Sequence, residues 1–150
     1  MAQTAKDAEA EDLRMSYFLD TSACIALLRN RPPVVRARAN SVLDANHGLL
    51  VSSIVLHELW YGVYKSSSVQ KNMQVLQDFL TGNVEAVDFD ADDARAAGEL
   101  RAELEMKGAM IGAYDTLIAA QCLRYNFILV TADVSDFRRV KDLRWENWAK

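Results

Sequence analysis

Ile111-Gly-Ala-Tyr-Asp-Thr-Leu-Ile-Ala-Ala120 is the stretch on which the fold turns, with Asp115 as its pivot. Apolar residues fall at Tyr114, Ile118 and Cys122 and again at Leu117 and Ala120, the spacing of a helix's buried stripe. A carboxylate in the first turn of such a helix ordinarily caps it or meets its dipole. Asp115 has company, however. Asp20 ends Tyr-Phe-Leu-Asp, Glu58 sits inside Ile-Val-Leu-His-Glu-Leu-Trp, and Asp133 ends Ile-Leu-Val-Thr-Ala-Asp. Four carboxylates at the ends of core elements, or inside them, are costly unless something positive gathers them. A divalent metal is the obvious candidate.

Outward from this stretch the chain alternates strands and helices. Ser16 to Asp20 reads as a strand, with Thr21-Ser22 able to cap a helix over Ala23–Arg29. Pro32-Pro33 breaks the chain, and Pro33 suits the first turn of a new helix. Gly48 to Ser53 is a second strand; Ser52 or Ser53 caps the next helix, whose buried stripe is Val55, Leu59 and Val63. A helix over Val69–Leu80 carries Val69, Met73, Leu76 and Leu80 on one side. Val84 to Phe89 alternates like a half-covered strand, and Asp90 or Asp92 starts a helix to Gly108 with Ala94, Ala97, Arg101 and Leu104 as its stripe. Beyond the central helix come the strand Phe127–Thr131, a helical turn from Asp136, and a closing strand within Leu143–Trp148.

This order predicts an α/β fold: a three-layer α/β/α sandwich around a mostly parallel sheet of about five strands. Ligands of such open sheets bind outside the C-terminal ends of the strands. Asp20 and Asp133 stand at such ends, and the helix beginnings at the same edge bring Glu58 and Asp115 within reach.

At 150 residues the chain has room for one domain with a full core, and 51% hydrophobic with 25% charged residues excludes a disordered polymer. A net charge of −4 argues against a simple electrostatic nucleic-acid binder, although cations bound in an acidic cleft would still allow an enzyme acting on nucleic acid. Cys24 and Cys122 lack paired spacing and read as core residues of a reducing compartment. No apolar signal segment or membrane span is present in the sequence, so a cytoplasmic protein is expected. Residues 1–14 have little to bury; they are expected to be a frayed or expression-derived lead-in, with Met15 a conceivable start and residues 15–150 the single domain.

Asp and Glu clustered without histidine or thiolate form a hard oxygen set suited to Mg²⁺ or Mn²⁺ rather than zinc. Such a site can activate water against a phosphodiester. Other constellations are weaker. Ser52, Ser53 and His57 lack a nucleophile elbow, and no phosphate-binding glycine loop follows the first strand. His47 and His57 read as satisfied core or surface residues. Trp60, Tyr61 and Tyr64 could stack on bases but more often serve as core or interface. The arginines at 29, 31, 36 and 38 read first as a solvated helix face and second as a phosphate-facing lip.

Leu-Asp-Thr-Ser (19–22), Ser-Ser-Ile-Val-Leu-His-Glu-Leu-Trp-Tyr-Gly (52–62), Arg101 to Ala120 with its Ile-Gly-Ala-Tyr-Asp block, and Leu-Val-Thr-Ala-Asp (129–133) together resemble a PIN domain. More narrowly, the chain is similar to the VapC toxins of bacterial toxin–antitoxin pairs, over about residues 15–148. The resemblance implies a Mg²⁺- or Mn²⁺-dependent endoribonuclease with an acidic quartet at Asp20, Glu58, Asp115 and Asp133. Asp20, Asp115 and Asp133 would hold metal, with Asp136 able to share the fourth role. Thr21 and Thr131 match supporting hydroxyl positions. The resemblance further implies a homodimer, a VapB-like antitoxin that inserts a segment into the active-site groove to make a hetero-oligomer, and a structured RNA substrate such as tRNA. Two other readings stay open: a DNA nuclease, and a catalytically silent PIN-like module whose acidic pocket docks a basic antitoxin peptide.

Overall fold

The computed structural model describes residues 15–150; the expected lead-in at 1–14 lies outside the described residues. Five strands, β1 (Ser16–Leu19), β2 (Gly48–Ser52), β3 (Val84–Val87), β4 (Ile128–Val130) and β5 (Trp145–Glu146), form one sheet in the order β3-β2-β1-β4-β5. All four pairings are parallel. β2 and β4 are buried at every residue, as strands covered on both faces must be. β3 and β5 are the edges, and they are only partly buried.

Seven helices connect the strands: α1 (Thr21–Arg29), α2 (Pro33–Asp44), α3 (Ser53–Lys65), α4 (Val69–Leu80), α5 (Ala91–Met106), α6 (Ala113–Tyr125) and α7 (Val134–Phe137). The chain builds the sheet outward from β1 to β3, then crosses back to place β4 on β1's other side. Right-handed crossovers therefore put α1 to α4 on one face and α5 to α7 on the other, giving the expected three layers. Most contacts divide the same way, with α1 against α2, α3 and α4, and α5 against α6, while α3 also meets α6 across the sheet's end. The reversal of winding falls between β1 and β4.

Several local expectations shift. Asp20, not Thr21 or Ser22, is the α1 N-cap: its backbone is extended and its carboxylate accepts from the Ala23 amide. Ser52 caps α3, and Val55, Leu59 and Val63 are its buried residues as expected. On α4 only Leu76 is fully buried, while Val69, Met73 and Leu80 pack partly against the core. The buried side of α5 is Asp93, Ala97, Leu100 and Leu104, leaving Ala94 and Arg101 exposed. A charged residue in the stripe hid its register. On α6 Tyr114 is exposed and Thr116 and Gln121 are buried instead.

The buried Asp93 is explained by what surrounds it. It completes a capping box with Asp90, and Arg124 of α6 donates to its Oδ1 at 2.8 Å. Gln121, fully buried, donates to its Oδ2 at 3.2 Å and to the Asp88 carbonyl at 3.1 Å. This network fastens the start of α5 to the end of α6. Asp93→Ala removes the acceptor of the Asp90 amide, one half of the capping box, and leaves Gln121 and Arg124 each short of a partner, so it should cost about 2–4 kcal/mol. Urea denaturation would show the loss as a lower midpoint with an unchanged slope.

Of the four arginines between positions 29 and 38, two have internal partners. Arg36 donates to the Leu27 carbonyl at 2.6 Å and Arg38 pairs with Glu146 at 3.1 Å. Both cysteines are free and buried, and burial pushes their thiols up, Cys122 to about 12. No helix of the described residues is long and apolar enough to cross a membrane.

Candidate active site

The winding reversal leaves a crevice at the C-terminal ends of β1 and β4, and the acidic residues gather there. Asp20 follows β1 directly; its amide continues the ladder to the Val130 carbonyl at 3.1 Å, which fixes the carboxylate above the sheet edge. It is 4% exposed, and its Oδ1 accepts from the Ser22 hydroxyl at 2.7 Å and the Ala23 amide at 2.9 Å. Ser22 in turn accepts from the Ala132 amide at 3.1 Å, so one hydroxyl bridges the loops after β1 and β4. Sequence reading passed over this bridge, because nothing local marks a serine that joins residues so far apart in the chain.

After β4, buried Thr131 accepts from the Asp133 amide at 2.8 Å and so turns the chain into α7. That turn presents Asp133 and, one helical turn on, Asp136. Asp115 lies in the first turn of α6, whose N-cap Gly112 offers no side-chain cap. Its own carboxylate and those of Asp133 and Asp136 each bring an oxygen within 4.8 Å of the others. Glu58 arrives from α3, half-buried beside the stripe.

Electrostatics ties the five together. Burial first, and then the charges of Asp133, Asp20, Asp136 and Glu58, push the Asp115 carboxyl up to about 6. Burial likewise raises Asp20; hydrogen bonds from Ser22, Thr131 and Ala23 work against that rise, and Asp133 adds to it. An Asp115 carboxyl raised by four neighbouring negative charges has no positive counterpart beside it. The donor set is oxygen only, suited to a hard cation, and the buried Thr21 hydroxyl beside Asp20 has no hydrogen-bond partner among the described residues. These residues fit Mg²⁺ or Mn²⁺.

All of the expected positions, Asp20, Glu58, Asp115, Asp133 and Asp136, thus converge at one sheet edge. The tightest trio is Asp115, Asp133 and Asp136, in which Asp136 stands where the sequence reading put Asp20 among the metal-holding residues. Of the aromatic candidates on α3, Tyr61 and Tyr64 are exposed, whereas Trp60 packs against the core.

Known proteins place this arrangement. The PIN domain profile matches residues 17–143. Ribonuclease VapC2 of Rickettsia felis is 41% identical over 136 residues, covering 91% of this chain and 100% of the relative. The tRNA(fMet)-specific endonuclease VapC of Shigella flexneri is 36% identical, covering 90% and 99%. Among solved structures, VapBC2 of Rickettsia felis bound to a promoter DNA fragment superposes with a TM-score of 0.83 at 40% identity, over 89% of this chain and 99% of that one. DNA-bound VapBC of Salmonella typhimurium gives 0.81 at 35% identity, over 89% and 98%. The profile match, the identities and the near-complete coverage of these relatives agree, and the chain belongs to the PIN-domain family, within its VapC branch.

Proposed function

We propose that this protein, over a single domain at residues 15–150, is a Mg²⁺- or Mn²⁺-dependent endoribonuclease and the toxin of a toxin–antitoxin pair. The observation that carries the reading is the convergence of five carboxylates from four separate segments onto the crevice between β1 and β4, where four of the charges add to the cost of ionising the fifth, Asp115. No packing need explains that cost. A site that concentrates negative charge without a cation, at the edge where open sheets take their ligands, is a site that a cation completes.

Asp115, Asp133 and Asp136 would hold the cation, with Asp20 facing them from β1. The ion, when bound, supplies a nucleophilic water and offsets charge on the scissile phosphate. Glu58, from a different helix, would add a further ligand or orient the attacking water. Ser22 and Thr131 fix the Asp20 carboxylate, while Thr131 also fixes the loop bearing Asp133. No histidine pair serves the RNA 2′-hydroxyl, so direct hydrolysis leaves 5′-phosphate and 3′-hydroxyl ends. The Shigella and Salmonella relatives are named for tRNA(fMet), and a structured RNA of the tRNA kind is the proposed substrate.

Relatives crystallised as VapBC complexes support a VapB-like antitoxin as partner in a toxin–antitoxin hetero-oligomer; the toxin's homodimer is proposed from the family resemblance. A cleft of about 260 Å³ beside the site, lined by Ile25, Leu28, Leu59 and Val63 with Arg29 and Glu58 among its walls, suits an apolar segment with polar ends.

Purified protein incubated with total bacterial tRNA and with a control DNA tests the reading. RNA should be cut with Mg²⁺ or Mn²⁺ and left whole with EDTA. Cutting of DNA alone would make the protein a DNA nuclease. Intact RNA in the presence of metal, from folded and antitoxin-free protein, would leave the pocket a peptide-docking module.

A further inference from the structure

Two exposed rings stand beside the acidic edge and touch each other. His57 precedes Glu58 on α3, and Tyr114 precedes Asp115 on α6. Their rings approach to 5.7 Å between centroids at an interplanar angle of 52°. His57 is exposed and Tyr114 is 47% exposed. Neither fills the core, since α3 buries Val55, Leu59 and Val63 and α6 buries Ile118, Ala119 and Cys122. One helical step of about 100° separates each ring from the neighbouring carboxylate, which puts the pair on the rim of the site rather than its floor. Leaving about half of an aromatic residue in water forgoes much of the apolar burial that it normally contributes.

We propose that His57 and Tyr114 form a nucleotide-holding rim, an inference that rests on the nuclease reading above. Tyr114 offers its ring face to the base beside the scissile phosphate. His57 sets the tilt of that ring and donates a hydrogen bond to an oxygen of the same nucleotide. The chemistry selects a class of substrate. A base can lie on a protein ring only when it has left its own stack, so the rim grips unpaired nucleotides of loops and ends and passes over continuous duplex. Stacking is tolerant of base identity, so the rim selects for an unpaired nucleotide more than for one particular base.

Steady-state cleavage of an RNA oligonucleotide spanning the mapped cut site tests this. Wild type, Tyr114→Ala, Tyr114→Trp and His57→Ala would be compared on that RNA and on copies carrying an abasic nucleotide on either side of the cut. Tyr114→Ala should raise KM about 5- to 100-fold, the range that one stacked base contributes, with kcat little changed. Tyr114→Trp should restore KM, and His57→Ala should weaken binding by a smaller factor. Wild type should itself lose the same factor on one abasic RNA, and on that RNA wild type and Tyr114→Ala should be equal. The wild-type arm stands even if a variant folds poorly.

An equal penalty for Tyr114→Ala on intact and abasic RNA would overturn the proposal. So would a change of oligomeric state in sedimentation with KM untouched, which would make the rings a protein contact. RNA left whole by wild type with Mn²⁺ defeats the nuclease reading itself. Cleavage by wild type with an unaltered KM in Tyr114→Ala defeats only the rim.

Discussion

Asp115→Asn protein is expected to cleave RNA more than about 100-fold more slowly than wild type, since loss of a direct cation ligand should exceed the 10- to 100-fold typical of residues one shell further out. The same protein, free of metal near neutral pH, should melt at a higher temperature than wild type. The two signs together mark a residue kept for chemistry rather than for the fold. Burial, and then Asp133, Asp20, Asp136 and Glu58, hold the Asp115 carboxyl at about 6 instead of its ordinary 3.8. The native state therefore binds that proton more tightly than the unfolded chain does. Stability falls as pH rises between those two values and stays reduced above the higher one. Asparagine is neutral throughout. Its gain over wild type should be complete above about pH 6, shrink through the acid range and vanish below the ordinary carboxylate range. The dipole of α6 would favour the charged form and works against this gain. Thermal melts across pH in EDTA would trace the difference, and added Mn²⁺ should raise wild type more than the variant. A variant melting below wild type near neutral pH would make Asp115 a helix cap.

Phe137→Ala should remove about 3–5 kcal/mol of stability, as for other fully buried phenylalanines, and lower Tm by about 10 °C. The particular interest lies in where the ring sits. Helix α7 is four residues long, far too short to persist alone, and its fully buried residue is Phe137. Together with the Thr131 hydroxyl, that side chain holds the turn from which Asp133 and Asp136 project. Loss of the ring should thus weaken Mn²⁺ binding as well as the fold, even at temperatures where the protein remains native. Phe137→Leu, which keeps most of the volume, should cost less than about 1.5 kcal/mol and bind Mn²⁺ nearly as wild type does. Calorimetric titration beside thermal melts separates the two effects. Unchanged metal affinity in folded Phe137→Ala would show that α7 is held by its backbone.

The sequence was legible where one signal dominated. Apolar strands bounded by polar residues gave the five β-strands in order, and Val55, Leu59 and Val63 gave the inner side of α3. Convergence of the carboxylates followed from their places at strand ends and helix starts. Elements with two signals misled. The stripe of α5 begins on Asp93, a residue type that seldom lies buried, and the register becomes clear only once Arg124 and Gln121 are seen beside it. Tyr114 resembled a core position by spacing, yet the first turn of α6 overhangs the sheet edge. Ser22 read only as a helix cap and part of a motif; its bridging role gave no signal, because its partner Ala132 lies 110 residues away.

The strand order also sets when the protein becomes dangerous to its host. β1 pairs first with β2, close behind it in the chain, but its second neighbour β4 begins only at Ile128. Closing that long loop must precede any meeting of Asp20 with Asp133 and Asp136, and a parallel pairing across such a distance forms late. A chain emerging from the ribosome at about 5–20 residues per second carries its first carboxylate for several seconds before the last ones exist. Until then it has no complete acidic edge. On the proposed site, cleavage would therefore wait for the final stretch of translation, when the last carboxylates join the first.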